Sequence, residues 1–255
     1  EILLLLKKSH FSSLLLAATC YYVDMSKQME MEEIMTHQSG VFDFWAGWQW
    51  SHPKEVKPFI HGQVITPRWV DQYKSTDPVM MDNGAFAAWR DGVHIEEHEH
   101  TNQLIDACLK LEPRFVILPD IVGGGDDSFS RTKRSAIHVI KATTAIQSIT
   151  PLVAIQEGMK LWEAVEFAEV INGGIFVGGA DMGWKRYAVE TVRAKSESAY
   201  IHVGRIWKDG DLCWHSARVD SFDNTTFCRG QDFNMRIDKL KSLRRYCRPV
   251  EGQNK

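Results

Sequence analysis

The chain has 255 residues and a formal net charge of −3, with 44% hydrophobic and 25% charged residues. This composition is typical of a globular domain and excludes a disordered chain, a fibrous repeat and a polycation. A nucleic-acid partner would have to bind a local basic surface. Five scattered cysteines without a CxxC pair argue against a disulfide framework and predict a reducing compartment, the cytoplasm.

Residues 1–39 are interpreted as an N-terminal extension of undetermined role, and residues 40–255 as a single domain. Two short apolar stretches in the extension resemble a signal peptide or a lipoprotein anchor around Cys20. Lys7 and Lys8 interrupt them, so neither is long enough to cross a bilayer. We favour a packed helix, or a non-native leader ahead of a start at Met25.

From about Gly40 onward, short apolar runs alternate with amphipathic stretches. Seven candidate strands begin, in chain order, at Val41, Pro78, Arg114, Pro151, Gly173, Tyr200 and Ser216. Candidate helices lie between them, beginning near Ile95, Ser128 and Lys160. Alternating strands and helices predict a parallel α/β fold. The number of strands favours one TIM-like (β/α)8 barrel with an irregular eighth position, and an open doubly wound sheet is the alternative.

Polar residues or glycines stand at the C-terminal ends of most candidate strands. They are Asp82, Asp120, Gln156, Gly178 with Gly179, Arg205 and Asp223. In a TIM barrel these strand ends converge on the face that carries the active site. A single carboxylate after a strand is commonly a helix cap or a turn residue, but the ordered series predicts a site.

Several of these segments resemble tRNA-guanine transglycosylases in chain order. MMDNGAFAAW is similar to the family's DSGGFQ-type segment, and LPDIVGG to the segment of its second strand-end aspartate. VAIQEG resembles the VQGG-type base-recognition strand, and FVGGADMG the glycine pair beside the base. ARVDSFDNT is similar to GVDMFDC, in which the second aspartate is the nucleophile; Asp220 and Asp223 match its two aspartates.

The resemblance implies a role for each matching residue. Asp223 would attack the anomeric carbon and hold the sugar covalently, while Asp82 would transfer protons to and from the base. The base would be bound by Asp120 and Gln156 through hydrogen bonds, by the backbone at Gly178 and Gly179, by Phe86 through stacking, and with the help of Asn83.

The chain departs from the tRNA enzymes after the nucleophile. Those enzymes carry a zinc site there, whereas this sequence has only Cys228 and Cys247 and no histidine beyond Asp223. Four protein ligands for zinc cannot be assembled from this segment, so no zinc subdomain, no metal and no other cofactor are expected. A short chain without this region resembles the phage-type DNA-guanine transglycosylases (the DpdA group), which insert 7-deazaguanine bases into DNA. The resemblance of this sequence is therefore to that group.

A basic segment near the C-terminus is the clearest candidate for phosphate contact. Arg244 and Arg245 lie in it, and the alternative is a basic helix that only covers the barrel. His202 and Arg205 end another strand on the predicted active face. Arg205 is predicted to contact the nucleic acid, and His202 either contacts sugar or phosphate or belongs to the core.

The sequence therefore predicts an enzyme that replaces guanine in DNA with a 7-deazaguanine, such as 7-cyano-7-deazaguanine, encoded by a phage and acting in the host cytoplasm. The target base would have to be flipped out of a duplex or lie in a single strand. Three alternatives stay open: a zinc-less enzyme acting on tRNA, a non-catalytic barrel that binds nucleic acid, and a TIM barrel that acts on sugars or phosphates.

Overall fold

The computed structural model describes residues 42–48, 56–146, 149–225 and 242–247. Its centre is a closed barrel in which every strand is parallel to both neighbours, with β1 pairing with β8 to close the ring. The strands are β1 (Asp43–Gly47), β2 (Ile60–Ile65), β3 (Val79–Met81), β4 (Phe115–Ile117), β5 (Thr150–Ile155), β6 (Gly174–Val177), β7 (Ile201–Gly204) and β8 (Ser221–Asn224). The predicted TIM-like (β/α)8 barrel is confirmed, and the open sheet is excluded.

Helices connect the successive strands from β3 onward. They are α1 (Ala85–Arg90), α2 (Glu97–Leu111), α3 (Gly125–Thr143), α4 (Leu161–Val170), α5 (Met182–Lys195) and α6 (Asp209–Ser216). Two short 3-10 helices, Lys57–Phe59 and Pro67–Gln72, flank β2. The carboxylate of Asp181 accepts a 2.6 Å hydrogen bond from the backbone N–H of Trp184, which caps α5 directly after the β6 turn.

The strand that the sequence analysis missed is β2. His61, Gly62 and Gln63 interrupt its apolar pattern, so it does not resemble a buried strand. Gly62 is required there because a Cβ atom would lie 2.3 Å from the ring of Trp45 and 2.5 Å from the carbonyl oxygen of Pro78. The one register shift between β1 and β2 lies beside this point, between Phe44 and Trp45.

Large side chains fill the barrel interior. The ring of Phe115 stacks on Tyr200 with centroids 4.5 Å apart and meets Trp45 edge-on at 5.6 Å. Met80, Ile117, Leu152 and Ala154 complete this buried cluster. The interior is therefore a packed core, as expected of a TIM barrel.

Some predicted features lie outside the described residues. They are the N-terminal extension at residues 1–39 and most of the basic C-terminal segment. Among the described helices, none is long and apolar enough to cross a membrane.

Candidate active site

A cavity of about 330 Å³ opens at the C-terminal ends of the barrel strands. Its wall contains every residue that the sequence analysis assigned to catalysis or base binding: Asp82, Asn83, Phe86, Asp120, Gln156, Gly178, Gly179 and Asp223, together with Arg205. The fold brings them together because Asp82, Gln156, Gly178 and Arg205 each directly follow a parallel strand. Separated by up to 141 positions in the chain, from Asp82 to Asp223, they form one site.

Asp223 lies in β8 and its two carboxylate oxygens meet different groups. Oδ1 accepts a 2.7 Å hydrogen bond from the backbone N–H of Arg205, and Oδ2 lies 3.7 Å from Nε2 of His202. The ammonium group of the buried Lys185 donates to the carbonyl oxygen of Gly204, the residue paired with Asp223 across the ladder. The N–H of Arg205, the imidazole of His202 and the charge of Lys185 therefore all act on the carboxylate of Asp223.

The surroundings of Asp223 favour its ionised form. Burial alone would raise its pKa, but the imidazole of His202, the N–H of Arg205 and the charge of Lys185 outweigh burial and lower the pKa below its usual value. The buried ammonium of Lys185 responds in the opposite way, since burial lowers its pKa to about 8. Asp223 is thus a carboxylate at neutral pH, as a nucleophile must be.

Asp82 experiences the opposite shift. Burial raises its pKa, and the negative charge of Asp223 adds to this effect, while the N–H of Gly84, which donates to Oδ1 at 3.1 Å, lowers it only in part. Two carboxyl groups in one cavity with opposed pKa shifts can divide the roles of base and acid between them. The directions of the two pKa shifts suit Asp223 to attack and Asp82 to carry a proton.

Asp120 is held by two side-chain amides. Its Oδ1 accepts a 2.9 Å hydrogen bond from Nδ2 of Asn83, and its Oδ2 accepts a 3.0 Å hydrogen bond from Nε2 of Gln156. Burial raises the pKa of Asp120 to about 6. A carboxylate fixed on both oxygens can still accept further hydrogen bonds through its remaining lone pairs, so Asp120 is placed to bind an N–H edge.

The side-chain amides of Gln156 and Asn83 bind Asp120 and backbone groups of the protein, whereas the sequence analysis expected them to contact the base. Oε1 of Gln156 accepts from the N–H of Gly123 at 2.5 Å, and its Nε2 also donates to the carbonyl oxygen of Ile121 at 2.8 Å. Nδ2 of Asn83 donates to Leu118, and Oδ1 accepts from the N–H of Ala85. Both amides orient Asp120 and the adjoining loops in this structure.

The glycine pair forms one wall of the cavity. Gly179 has a φ of +82°, a left-handed conformation that favours glycine. A Cβ on Gly178 would meet only ordinary contacts, 3.4 Å from the carbonyl oxygen of Ile155 and 3.6 Å from the ring of Phe176. Gly178 is therefore not required by the fold itself, which leaves close approach of a ligand as a reason for it.

Arg205 and Phe86 contact each other at the cavity wall. The guanidinium carbon of Arg205 lies 3.5 Å from the ring centroid of Phe86, whose other neighbour is Trp89 at 5.6 Å. The predicted stacking face of Phe86 is therefore partly covered by Arg205. A ligand that stacks on Phe86 would have to use the face opposite the guanidinium or displace it.

The structure does not bring Arg244 and Arg245 into the cavity. Both are exposed, and Nη1 of Arg245 lies 3.5 Å from Oδ2 of Asp209 at the start of α6. Asp220, the other aspartate of the DSFD segment, also lies away from the cavity: its Oδ2 accepts from Arg193 and from the N–H of Ile201. These three residues are structural or surface groups in this structure.

The cavity wall also contains residues that the sequence analysis did not assign, among them Trp89, Glu157 and Phe176. Lys185, just behind the wall, was missed as well. Its spacing from Ala188, Val189 and Val192 places it on the apolar face of α5, which is a detectable signal. Among the described residues, no group of three or more His, Cys, Asp or Glu side chains is arranged to hold a metal ion.

The fold and the cavity define a TIM barrel with a carboxylate-lined site at the C-terminal face. No protein-family model matches the sequence, and no curated protein matches it. A 3-hexulose-6-phosphate synthase is similar in structure, with a TM-score of 0.52 and 13% identity over 81% of this chain and 100% of that chain. A 4-hydroxy-2-oxoglutarate aldolase from TTHB1 gives 0.50 and 10% over 78% and 92%. Identities this low establish the barrel fold alone.

Proposed function

We propose that this protein is a base-exchange enzyme, a guanine transglycosylase that replaces guanine in DNA with a 7-deazaguanine. The observation that carries the proposal is the pair of cavity carboxyl groups with opposed pKa shifts, Asp223 lowered and Asp82 raised. Chemistry at an anomeric carbon needs one ionised carboxylate and one carboxylic acid at the same pH.

The exchange proceeds in two balanced steps. The carboxylate of Asp223 attacks the anomeric carbon of the sugar, the glycosidic bond breaks toward the base nitrogen, and the departing guanine takes the proton of Asp82. The incoming base then gives the proton of its glycosidic nitrogen to Asp82 and attacks the same carbon. The ester bond to Asp223 breaks, which regenerates both groups.

The remaining cavity residues recognise the base. Asp120 accepts hydrogen bonds from the N–H edge of guanine, and it is held for this by Asn83 and Gln156. The backbone at Gly178 lets the ring approach closely. Replacement of guanine by a 7-deazaguanine keeps this N–H edge, so one site can accept both the leaving and the entering base.

Within this proposal we prefer DNA to tRNA because residues 224–255 offer too few ligands for the zinc site of the tRNA enzymes. The segment that forms a zinc site in the tRNA enzymes has no histidine here and only two cysteines.

A cavity of about 330 Å³ is large enough for a base and part of its sugar, not for a paired base. The target nucleotide must therefore be unpaired or flipped out.

The solved structures suggest another chemistry for comparison, since the two similar proteins are named a synthase and an aldolase. A lysine that forms a Schiff base with a carbonyl substrate has to reach that substrate. Among the described residues that line the cavity, none is a lysine, and Lys185 is bound to the carbonyl oxygen of Gly204. The cavity therefore offers less to this chemistry than to base exchange.

The experiment is release of labelled guanine from DNA and from tRNA, side by side, on addition of 7-cyano-7-deazaguanine. The proposal expects stoichiometric exchange on DNA and none on tRNA. Exchange on tRNA alone would instead identify a zinc-less tRNA enzyme. Binding of nucleic acid without release from either would identify a non-catalytic barrel.

A further inference from the structure

Four polar side chains form a line that ends at Asp223: Tyr200 just before β7, His202 of β7, and Ser221 and Asp223 of β8. The hydroxyl of Tyr200 lies 2.6 Å from Oγ of Ser221, and this oxygen lies 2.7 Å from Nδ1 of His202. On the far side of the imidazole, Nε2 lies 3.7 Å from Oδ2 of Asp223. The line is continuous because residues two apart on a strand share one face, and His202 is paired with Ser221 across the ladder.

The direction of the hydrogen bonds fixes the tautomer of His202. Burial raises the pKa of Tyr200, so its hydroxyl keeps its proton, and Ser221 is the one acceptor it reaches among the described residues. Ser221 then donates its own proton to Nδ1 of His202. The reverse direction would leave one proton without an acceptor among the described residues: that of Ser221 if Tyr200 donates to it, or that of Tyr200 if Ser221 donates to Tyr200. An imidazole that accepts this hydrogen bond at Nδ1 carries a proton on Nε2.

The Nε2–H of His202 faces the carboxylate of Asp223. His202 is fully buried, and its ring stacks on Phe176 with centroids 5.5 Å apart. Among the described residues, Nε2 has no hydrogen-bond partner, and the carboxylate of Asp223 faces it. An unpaired buried N–H is unfavourable for folding, so we look for its role in the function of the adjacent Asp223.

We propose that His202 is a positioning residue, whose Nε2–H is aimed by Tyr200 and Ser221 at Oδ2 of Asp223 to keep this group a carboxylate ready to attack. The inference rests on the proposed function of Asp223 as the nucleophile. Oδ1 is already held by the N–H of Arg205, so the two donors fix the orientation of the carboxylate from two sides. A small approach of Oδ2 would convert the 3.7 Å contact into a hydrogen bond.

The test compares three variants with the unchanged protein. His202→Phe keeps a ring against Phe176 but removes the N–H, and His202→Gln returns an N–H donor near the position of Nε2. Tyr200→Phe leaves His202 in place and removes the proton that fixes its tautomer. Thermal unfolding and circular dichroism confirm that each variant is folded before it is used.

The readout is the pKa of Asp223 in the free protein, from carbon-13 NMR of labelled aspartate carboxyl groups, with Asp223→Asn identifying the signal. We expect His202→Phe to raise this pKa by about one unit or more, the usual effect of losing a neighbouring donor. His202→Gln should restore most of the shift, and Tyr200→Phe should raise the pKa by less. The acidic limb of the base-exchange rate should move by the same amounts.

The pKa of Asp223 tests the positioning role of His202, and the exchange assay tests the proposed function. If the pKa of Asp223 is the same in the unchanged protein and in every folded variant, the inference about His202 is wrong, whether or not exchange occurs. If the pKa moves as expected but no nucleic acid exchanges its guanine, the positioning role stands and the proposed function fails. Should His202→Phe not fold, an unchanged pKa in both Tyr200→Phe and His202→Gln still overturns the inference.

Discussion

The backbone N–H of Arg205 donates a 2.7 Å hydrogen bond to Oδ1 of Asp223, and Arg205 makes this contact with a φ of +61°. A left-handed conformation is unfavourable for any residue with a side chain and is found preferentially at functional sites. Here it turns the chain at the end of β7, so that the N–H points at Asp223 while the guanidinium reaches Phe86. One residue thereby orients the candidate nucleophile and lines the cavity.

Replacing Arg205 by glycine or by alanine separates its backbone from its side chain. Glycine adopts a φ of +61° without strain, so Arg205→Gly should be more stable than Arg205→Ala by about 1–2 kcal/mol in urea unfolding. Both variants lose the guanidinium, so both should bind single-stranded DNA more weakly to a similar degree. DNA affinity equal to that of the unchanged protein in both variants would remove Arg205 from the nucleic-acid contacts.

Base binding should depend on pH through Asp120. As a carboxylate this group accepts hydrogen bonds through both oxygens, whereas in its acid form one oxygen becomes a donor, and burial raises its pKa to about 6. The proton is therefore bound below pH 6 and lost above it, so affinity for the free base should rise as the pH increases from 5 to 7. Calorimetric titration across this range measures the effect. Asp120→Asn is the control: it should bind weakly at every pH, and a retained pH dependence in it would assign the titration to another group.

The two glycines of the cavity wall should respond differently to alanine. Gly179→Ala places a side chain at a φ of +82° and should lower the free energy of unfolding by about 1–2 kcal/mol. A methyl group on Gly178 makes ordinary contacts, so Gly178→Ala should unfold like the unchanged protein. It should nevertheless raise the KM for the entering base, because the methyl adds bulk beside Phe176. Normal KM in folded Gly178→Ala would contradict close approach of the base at this point.

The exposed arginines near the C-terminus provide a test of the phosphate contacts. Each phosphate that is neutralised releases about one counterion, so Arg244→Ala with Arg245→Ala should weaken DNA binding and flatten its salt dependence by about one to two units. Preference for guanine should persist, since phosphate contacts carry no base information. Arg245→Ala alone is the matched comparison, because Arg245 also pairs with Asp209. An unchanged salt slope in the double variant would assign this segment to covering the barrel.

The sequence predicted most of the barrel because seven candidate strands alternate with helices and most of them end in polar residues or glycines. It failed at β2, where close packing against Trp45 demands Gly62 and where Nε2 of the buried Gln63 donates to Asp77 at 2.7 Å. Such requirements come from partners distant in the chain, so the local pattern of Ile60–Ile65 carries no sign of a strand. Tertiary contacts outweigh local pattern at this element.

Members of the candidate site were predictable because strand ends converge, but their contacts were not. Gln156 was expected to bind the base, whereas its amide holds Asp120 and Gly123 in the structure. The line from Tyr200 to Asp223 depends on two strands that lie side by side only in the folded barrel. Hydrogen-bond direction and pKa shifts arise from that arrangement, so no single-sequence pattern encodes them.

Formation of a covalent bond between Asp223 and the sugar is the most direct measurement of the central claim. Protein incubated with guanine-containing DNA, quenched in denaturant and digested with nuclease and protease, should yield a peptide whose Asp223 carries the mass of a deoxyribose-containing fragment. Asp223→Asn should fold normally and give neither adduct nor exchange, and Asp82→Asn should lose exchange without abolishing binding. Full exchange by Asp223→Asn, or an adduct on another residue, would contradict the account.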